Sequence, residues 1–144
     1  MRYDPRLVEP MREELTRVGF EELKTPDAVE AALTAPDGTV LVVVNSVCGC
    51  AAGRARPGVI QSLKEGPRPD RLTTVFAGMD LAATERARSH FTGYGPSSPS
   101  IALFKGGKLV HMMERRDIEG RDAQQIADVL RAAFARHCAP ARAA

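Results

Sequence analysis

The stretch Thr39-Val40-Leu41-Val42-Val43-Val44-Asn45-Ser46-Val47-Cys48-Gly49-Cys50-Ala51-Ala52-Gly53 decides how the chain is read. Its first six residues are a continuous, mostly β-branched run. A half-exposed strand would alternate polar and apolar residues, so an unbroken run predicts a strand covered on both faces. The run ends in a paired cysteine motif, and a small-residue segment with helical character follows. Two thiols therefore stand where a central strand gives way to a helix.

Working outward, Leu72 to Ala77 predicts a second covered strand and Ile101 to Phe104 a third. Gly106-Gly107 is a hairpin signal leading into Leu109 to Met113. Helices are expected between the strands. One begins after Cys50 and reaches about Leu63, with Pro57 inside it as a kink. Another runs from Asp80, at an N-cap, to Phe91. A last one opens at Asp122 with Gln125 three residues on, and buries Ile126, Val129, Leu130, Ala133 and Phe134 on one face. Before the first strand, Leu7, Val8, Met11, Leu15 and Val18 predict an amphipathic helix within 4–20, with Pro10 near its start. Thr25, Pro26 and Asp27 open a short second helix. Strands alternating with helices, closed by an antiparallel pair, predict a three-layer α/β domain.

The 144 residues suit one domain, 1–144, with a frayed tail at about 139–144. A net charge of +2, with 20 basic residues spread among 18 acidic ones, offers no basic stripe, so nucleic acid is not an expected partner. No apolar run approaches the ~20 residues that span a bilayer, and the N-terminal residues lack the apolar core of a signal peptide. The expectation is a cytoplasmic protein that does not enter membranes. Three cysteines are too few for a disulfide scaffold and point to redox, metal or buried-thiol roles.

The position of Cys48 and Cys50 favours chemistry. Thiolate is the nucleophile, and the free N–H groups of a helix start stabilise it. Arg54 and Arg56 are candidates to add positive potential. A disulfide across one intervening residue closes a ring of about 11 atoms, against about 14 for a two-residue spacer, and is strained. A strained bond is the more oxidising one. The pair is thus suited to mixed disulfides with other thiols and is a weak dithiol reductant. Other readings are two inert buried thiols, or a metal module in which Cys138 and His137 complete a ligand set. Cys138 is a packed helix cysteine, a second redox site or an intermolecular linker. His90, His111 and His137 are surface or packing residues, Ser97 and Ser98 turn residues, and Gly53 and Gly58 sites of close packing. Gly95-Pro96-Ser97-Ser98-Pro99-Ser100 precedes a strand, and Pro99 is a candidate cis residue beside the thiols.

In this order of elements the segments Val43 to Gly53, Val75-Phe76-Ala77-Gly78, Phe91-Thr92-Gly93 and Pro96 to Ser100 resemble the bacilliredoxins. Pro10 to Leu15, Ile118-Glu119-Gly120 and His137-Cys138 match as well, so the resemblance covers about residues 4–138. It implies a thioredoxin-like three-layer α/β/α sandwich with a mixed central sheet and an N-terminal helical extension. It also implies an activity: removal of bacillithiol from S-bacillithiolated client proteins through a mixed disulfide on Cys48. By that resemblance Cys50 is the resolving or modulating thiol and Pro99 the cis-proline facing the motif. No cofactor is bound; bacillithiol is the co-substrate, and bacillithiol with its reductase system recycles the enzyme. The nearest alternative is a protein disulfide isomerase or general thiol–disulfide oxidoreductase.

Overall fold

A computed structural model describes residues 3–139, so the tail expected to fray lies outside it except for Ala139. The chain runs α1 (Pro5–Thr16), β1 (Glu21–Glu22), α2 (Pro26–Leu33), β2 (Thr39–Asn45), a π-helical turn (Ala51–Ala55), α3 (Arg56–Ser62), β3 (Arg71–Phe76), α4 (Leu81–Ser89), β4 (Ser100–Lys105), β5 (Lys108–Met113), α5 (Arg115–Glu119) and α6 (Ala123–His137). The sheet order is β1-β3-β2-β4-β5. β3 lies parallel to β2 and β1, whereas β4 runs antiparallel to β2 and β5 antiparallel to β4.

β2 is buried along its whole length. Alternate side chains point to opposite faces, and both faces are covered. Leu41, Val43, Ile101, Leu103 and Met113 pack with Leu15 of α1, Val59 of α3 and Ile126, Leu130 and Phe134 of α6. Val40, Val42, Val44, Ala102 and Phe104 pack with Val29 and Leu33 of α2 and Ala83 and Ala87 of α4. Burying one such side chain is worth about 1.5–3 kcal/mol, so the middle of β2 is apolar on both faces, and its polar residues, Thr39 and Asn45, stand at its two ends with hydrogen-bond partners. Gly106 and Gly107 turn the β4–β5 hairpin with φ of +58° and +79°, a pair of conformations that only glycine adopts without strain.

Several local expectations are corrected. α1 starts at Pro5 rather than near Pro10, because Asp4 accepts a hydrogen bond from the Arg6 N–H at 2.9 Å and Pro5 fills a position that needs no donor. Pro10 lies inside the helix. The segment after Cys50 is not one α-helix kinked at Pro57. It opens with a widened turn in which the Arg56 N–H reaches the Ala51 carbonyl, five residues back, and Pro57 then sits in the first turn of α3. Proline cannot continue an i→i−4 ladder, and the ladder is interrupted just ahead of it. β1 and α5 are additional elements, too short for periodicity to reveal.

The register fixes what meets at the cysteine end of the sheet. Asn45, the last residue of β2, lies beside Phe76 of β3, and Val44 lies opposite Ser100 of β4. Pro99 therefore arrives just beyond the edge from which the cysteine motif departs.

Candidate active site

The base of the site is a buried polar knot. Asn45 Oδ1 accepts from the Ser46 N–H and from Arg56 Nη1, both at 2.9 Å, and its Nδ2 donates to the Met11 carbonyl at 3.1 Å. Arg56 Nη1 also donates to the Ser46 carbonyl at 2.9 Å. Arg56 is only 1% exposed. Its Nε lies 3.2 Å from Glu14 Oε1, a charge contact whose N–H is not aligned for a hydrogen bond. The knot ties α1, the end of β2 and α3 together. It also commits Arg56 beneath the motif, while Arg54 donates to the Arg121 carbonyl. Both guanidinium groups donate to backbone carbonyls, and the charge that lowers the Cys48 thiol pKa is that of Arg115.

Above the knot, the Cys48 N–H donates to Ser46 Oγ at 3.1 Å, and the Cys48 carbonyl accepts from the Ala51 and Ala52 N–H groups at 3.0 and 3.2 Å. Cys48 thus occupies the cap of a helix that begins at Gly49. Burial pushes its thiol pKa up. The Ala51 N–H, the Ser46 hydroxyl, the Cys50 N–H and the charge of Arg115 more than offset this, and the net position is below the ordinary thiol value. Hydrogen bonds to a thiolate are the physical basis of thiol activation at a helix start.

Cys50 has a different environment. Its side chain packs against the core cluster that contains Val59, Ile126 and Phe134. Both thiols are half-buried, and both are free. Gly49 and Cys50 are helical, with Cys48 at the cap before them. The exposed Gly49 between the two thiols has open space around its α-carbon.

The Ser98–Pro99 peptide bond is cis. Two arginines hold the turn before it. Arg88 Nη2 donates to the Ser97 carbonyl at 3.2 Å, and Arg115 Nη1 donates to the Ser98 carbonyl at 3.3 Å. The Arg115 N–H reaches Ser97 Oγ at 3.4 Å, and its Nε donates to Glu119 Oε1 at 2.7 Å. Arg115 thus holds the proline turn, and its charge favours the Cys48 thiolate. Sequence reasoning missed it, because the mixed-charge run Glu114-Arg115-Arg116-Asp117 carries no motif and nothing local shows that it folds back on the cysteine helix.

Cys138 is not part of this site. It is 7% exposed at the end of α6 and lies by Thr39, at the opposite end of β2. Seven residues of strand separate the two ends, about 20 Å. Burial first, then Asp70, raises its thiol pKa against the opposing Thr39 hydroxyl and Lys105. Cys138 and His137 therefore cannot complete a ligand set with Cys48 and Cys50. Among the described residues no three His, Cys, Asp or Glu side chains converge as a metal site. His90 contacts Glu30 Oε1 at 2.8 Å and Phe104 edge-on. Of the two glycines read as packing sites, Gly58 abuts Ile126, whereas Gly53 has open space.

A family model described as disulphide isomerase matches residues 3–138. A bacilliredoxin of Koribacter versatilis is 54% identical over 136 residues, covering 94% of each chain. One from Shouchella clausii is 52% identical with the same coverage. The chain belongs to the bacilliredoxin family. Among solved structures it resembles thioredoxin O2 of Arabidopsis thaliana, with a TM-score of 0.52 at 19% identity over 82% of this chain and 96% of that one. A Malassezia sympodialis thioredoxin gives 0.53 at 15% identity over 84% and 92%. These place the bacilliredoxin chain in the thioredoxin-like α/β fold, and together with its named relatives they support a thiol–disulfide oxidoreductase. No helix among the described residues is long and apolar enough to cross a membrane.

Proposed function

We propose that the protein removes bacillithiol from S-bacillithiolated client proteins in the cytoplasm. The Cys48 thiolate attacks the bacillithiol sulfur of the client's mixed disulfide. The client's S–S bond breaks, its thiolate leaves and takes a proton from water, and Cys48 retains bacillithiol in a new disulfide. A second bacillithiol, as thiolate, then attacks that bond. Cys48 is released as thiolate, and the resulting bacillithiol disulfide passes to its reductase. No bound cofactor is needed, because each step exchanges one disulfide for another.

The observation that carries this reading is the asymmetry of the two thiols. Cys48 caps the helix start, where neighbouring N–H and hydroxyl groups hold its thiol pKa below the ordinary value, whereas Cys50 packs against the core. That arrangement suits a monothiol transfer with Cys50 in a modulating role, and the cis-Pro99 turn is the surface against which the mixed disulfide lies. The description of the family as disulphide isomerases favours a second reading, in which Cys48 and Cys50 rearrange protein disulfides.

A bacillithiol-modified client separates the two. Release is expected with the natural protein and with Cys50→Ala, and none above background with Cys48→Ala. A Cys48→Ala variant as fast as the natural protein overturns the reading. Refolding of a scrambled-disulfide substrate that depends on Cys50 supports the isomerase instead.

A further inference from the structure

Arg115 has more to offer at the reactive centre than its charge. Of the arginines near the motif, Arg56 is buried in the polar knot, Arg54 is bound to the Arg121 carbonyl, Arg88 to the Ser97 carbonyl and Arg116 to Glu114 at 3.0 Å. Arg115 differs. Its side chain is 47% exposed, with Nε engaged by Glu119 and Nη1 by the Ser98 carbonyl. Its Nη2 makes no hydrogen bond among the described residues, so one donor of this half-exposed guanidinium is left open. α5, which carries it, packs against the π-helical turn that follows the thiols.

We propose that this open donor of Arg115, held between Glu119 and the Ser98 carbonyl, binds a carboxylate of the small thiol that Cys48 takes from its client. The inference rests on the mixed-disulfide reading given above. Its logic is charge continuity. In the resting protein the Cys48 thiolate lies within reach of the Arg115 charge. When the mixed disulfide forms, that negative charge departs on the client sulfur, and the guanidinium loses a partner. A carboxylate on the incoming group restores one, in the planar fork geometry that suits arginine rather than lysine. Acidic thiols are therefore accepted in preference to neutral ones.

The test uses one client protein modified on a single cysteine with either mercaptosuccinate, which carries carboxylates, or thioglycerol, which is neutral. Release rates are measured for the natural protein, Arg115→Gln and Arg115→Lys at one pH. The ratio of the acidic to the neutral rate is expected to fall by about fivefold in Arg115→Gln, the range of an exposed ion pair. Added salt narrows the natural protein's ratio, and Arg115→Lys restores part of it. A purely thiolate-stabilising or structural role slows both adducts equally and leaves the ratio unchanged; that result overturns the proposal. If the natural protein releases neither adduct faster than Cys48→Ala, the underlying transfer reading fails and this inference falls with it.

Discussion

Ser46 and Cys48 are joined at the start of the helix: the serine hydroxyl accepts the Cys48 N–H at 3.1 Å, and the same hydroxyl helps to lower the Cys48 thiol pKa. The same serine is fixed from below, since its N–H and carbonyl are both used by the Asn45–Arg56 knot. The Ser46 Oγ is thereby held beside Cys48. Ser46→Ala removes a donor worth about 1.5–3 kcal/mol to a charged acceptor. The alkylation rate of Cys48 at neutral pH is expected to drop by about tenfold, with the midpoint of its pH profile moved upward. A profile superimposed on that of the natural protein removes Ser46 from the site.

The lowered Cys48 pKa has a stability counterpart. An acid whose folded value lies below its unfolded value contributes stability that is full above the unfolded value and is lost as pH falls through the folded one. The gap in stability between the natural protein and Cys48→Ala should therefore widen as pH rises towards the ordinary thiol range and then level off. Cys138 has the opposite sign, since its value is raised. Its contribution is present below the ordinary thiol value and is lost as pH rises through the folded one. Urea midpoints for the two variants across that range check both signs, and Cys138 should resist alkylation in the folded protein.

Arg12 anchors α1 to the loop before α4. It grips Asp80 with two hydrogen bonds of 3.0 Å, meets Glu22 at 2.8 Å and lies 5.1 Å from the centroid of the Phe76 ring. Asp80 stands at the N-cap of α4 as the sequence suggests, yet its carboxylate is spent on Arg12 and on the Phe76 N–H at 3.1 Å. Removing one member of a buried pair costs about 3–5 kcal/mol, more than replacing both by apolar groups. Asp80→Ala should lower the denaturation midpoint more than the double change Arg12→Met with Asp80→Leu. The reverse order would show that the pair is dispensable.

Gly58 brings α3 against α6. A methyl group there would lie 2.6 Å from Ile126 Cγ2 and 3.1 Å from the Ala123 carbonyl. Overpacking of this kind costs about 1–3 kcal/mol. Gly58→Ala should destabilise the protein by that amount in chemical denaturation. Adding Ile126→Ala should offset part of the clash, although it opens a cavity of its own.

Much of this was legible from residue order. The apolar run in β2 announces burial on both faces, the two glycines announce the hairpin, and Asp122 with Gln125 announces α6, where the reciprocal cap is formed. What stayed hidden has a common cause. Glu21–Glu22 becomes a strand only because β3 pairs with it, and Arg115–Glu119 is too short to show a period. Arg54 and Arg56 stand next to the thiols in sequence but point to other partners, whereas Arg115 is remote in sequence and close in space. Adjacency along the chain says little about where a long cationic side chain places its charge. The capped position of Cys48 could be read from the strand-to-helix junction; the Ser46 hydroxyl that completes it depends on a fixed rotamer that no spacing reveals.

The widened turn at Ala51–Ala55 gives the helix two independent phases. Each residue in an α-helix advances the side-chain direction by about 100°, so one surplus residue lets the segment bearing the thiols and the segment bearing Val59 take their facings separately. Gly53 sits in that turn with open space around it. Deleting it would close the turn to ordinary pitch. Either the thiols would swing by about a quarter of a revolution away from Ser46, or Arg56 would be pulled from beneath Asn45. The surplus residue thus works as a phase adjuster, allowing the reactive end of the helix to be aimed without repacking its buried end.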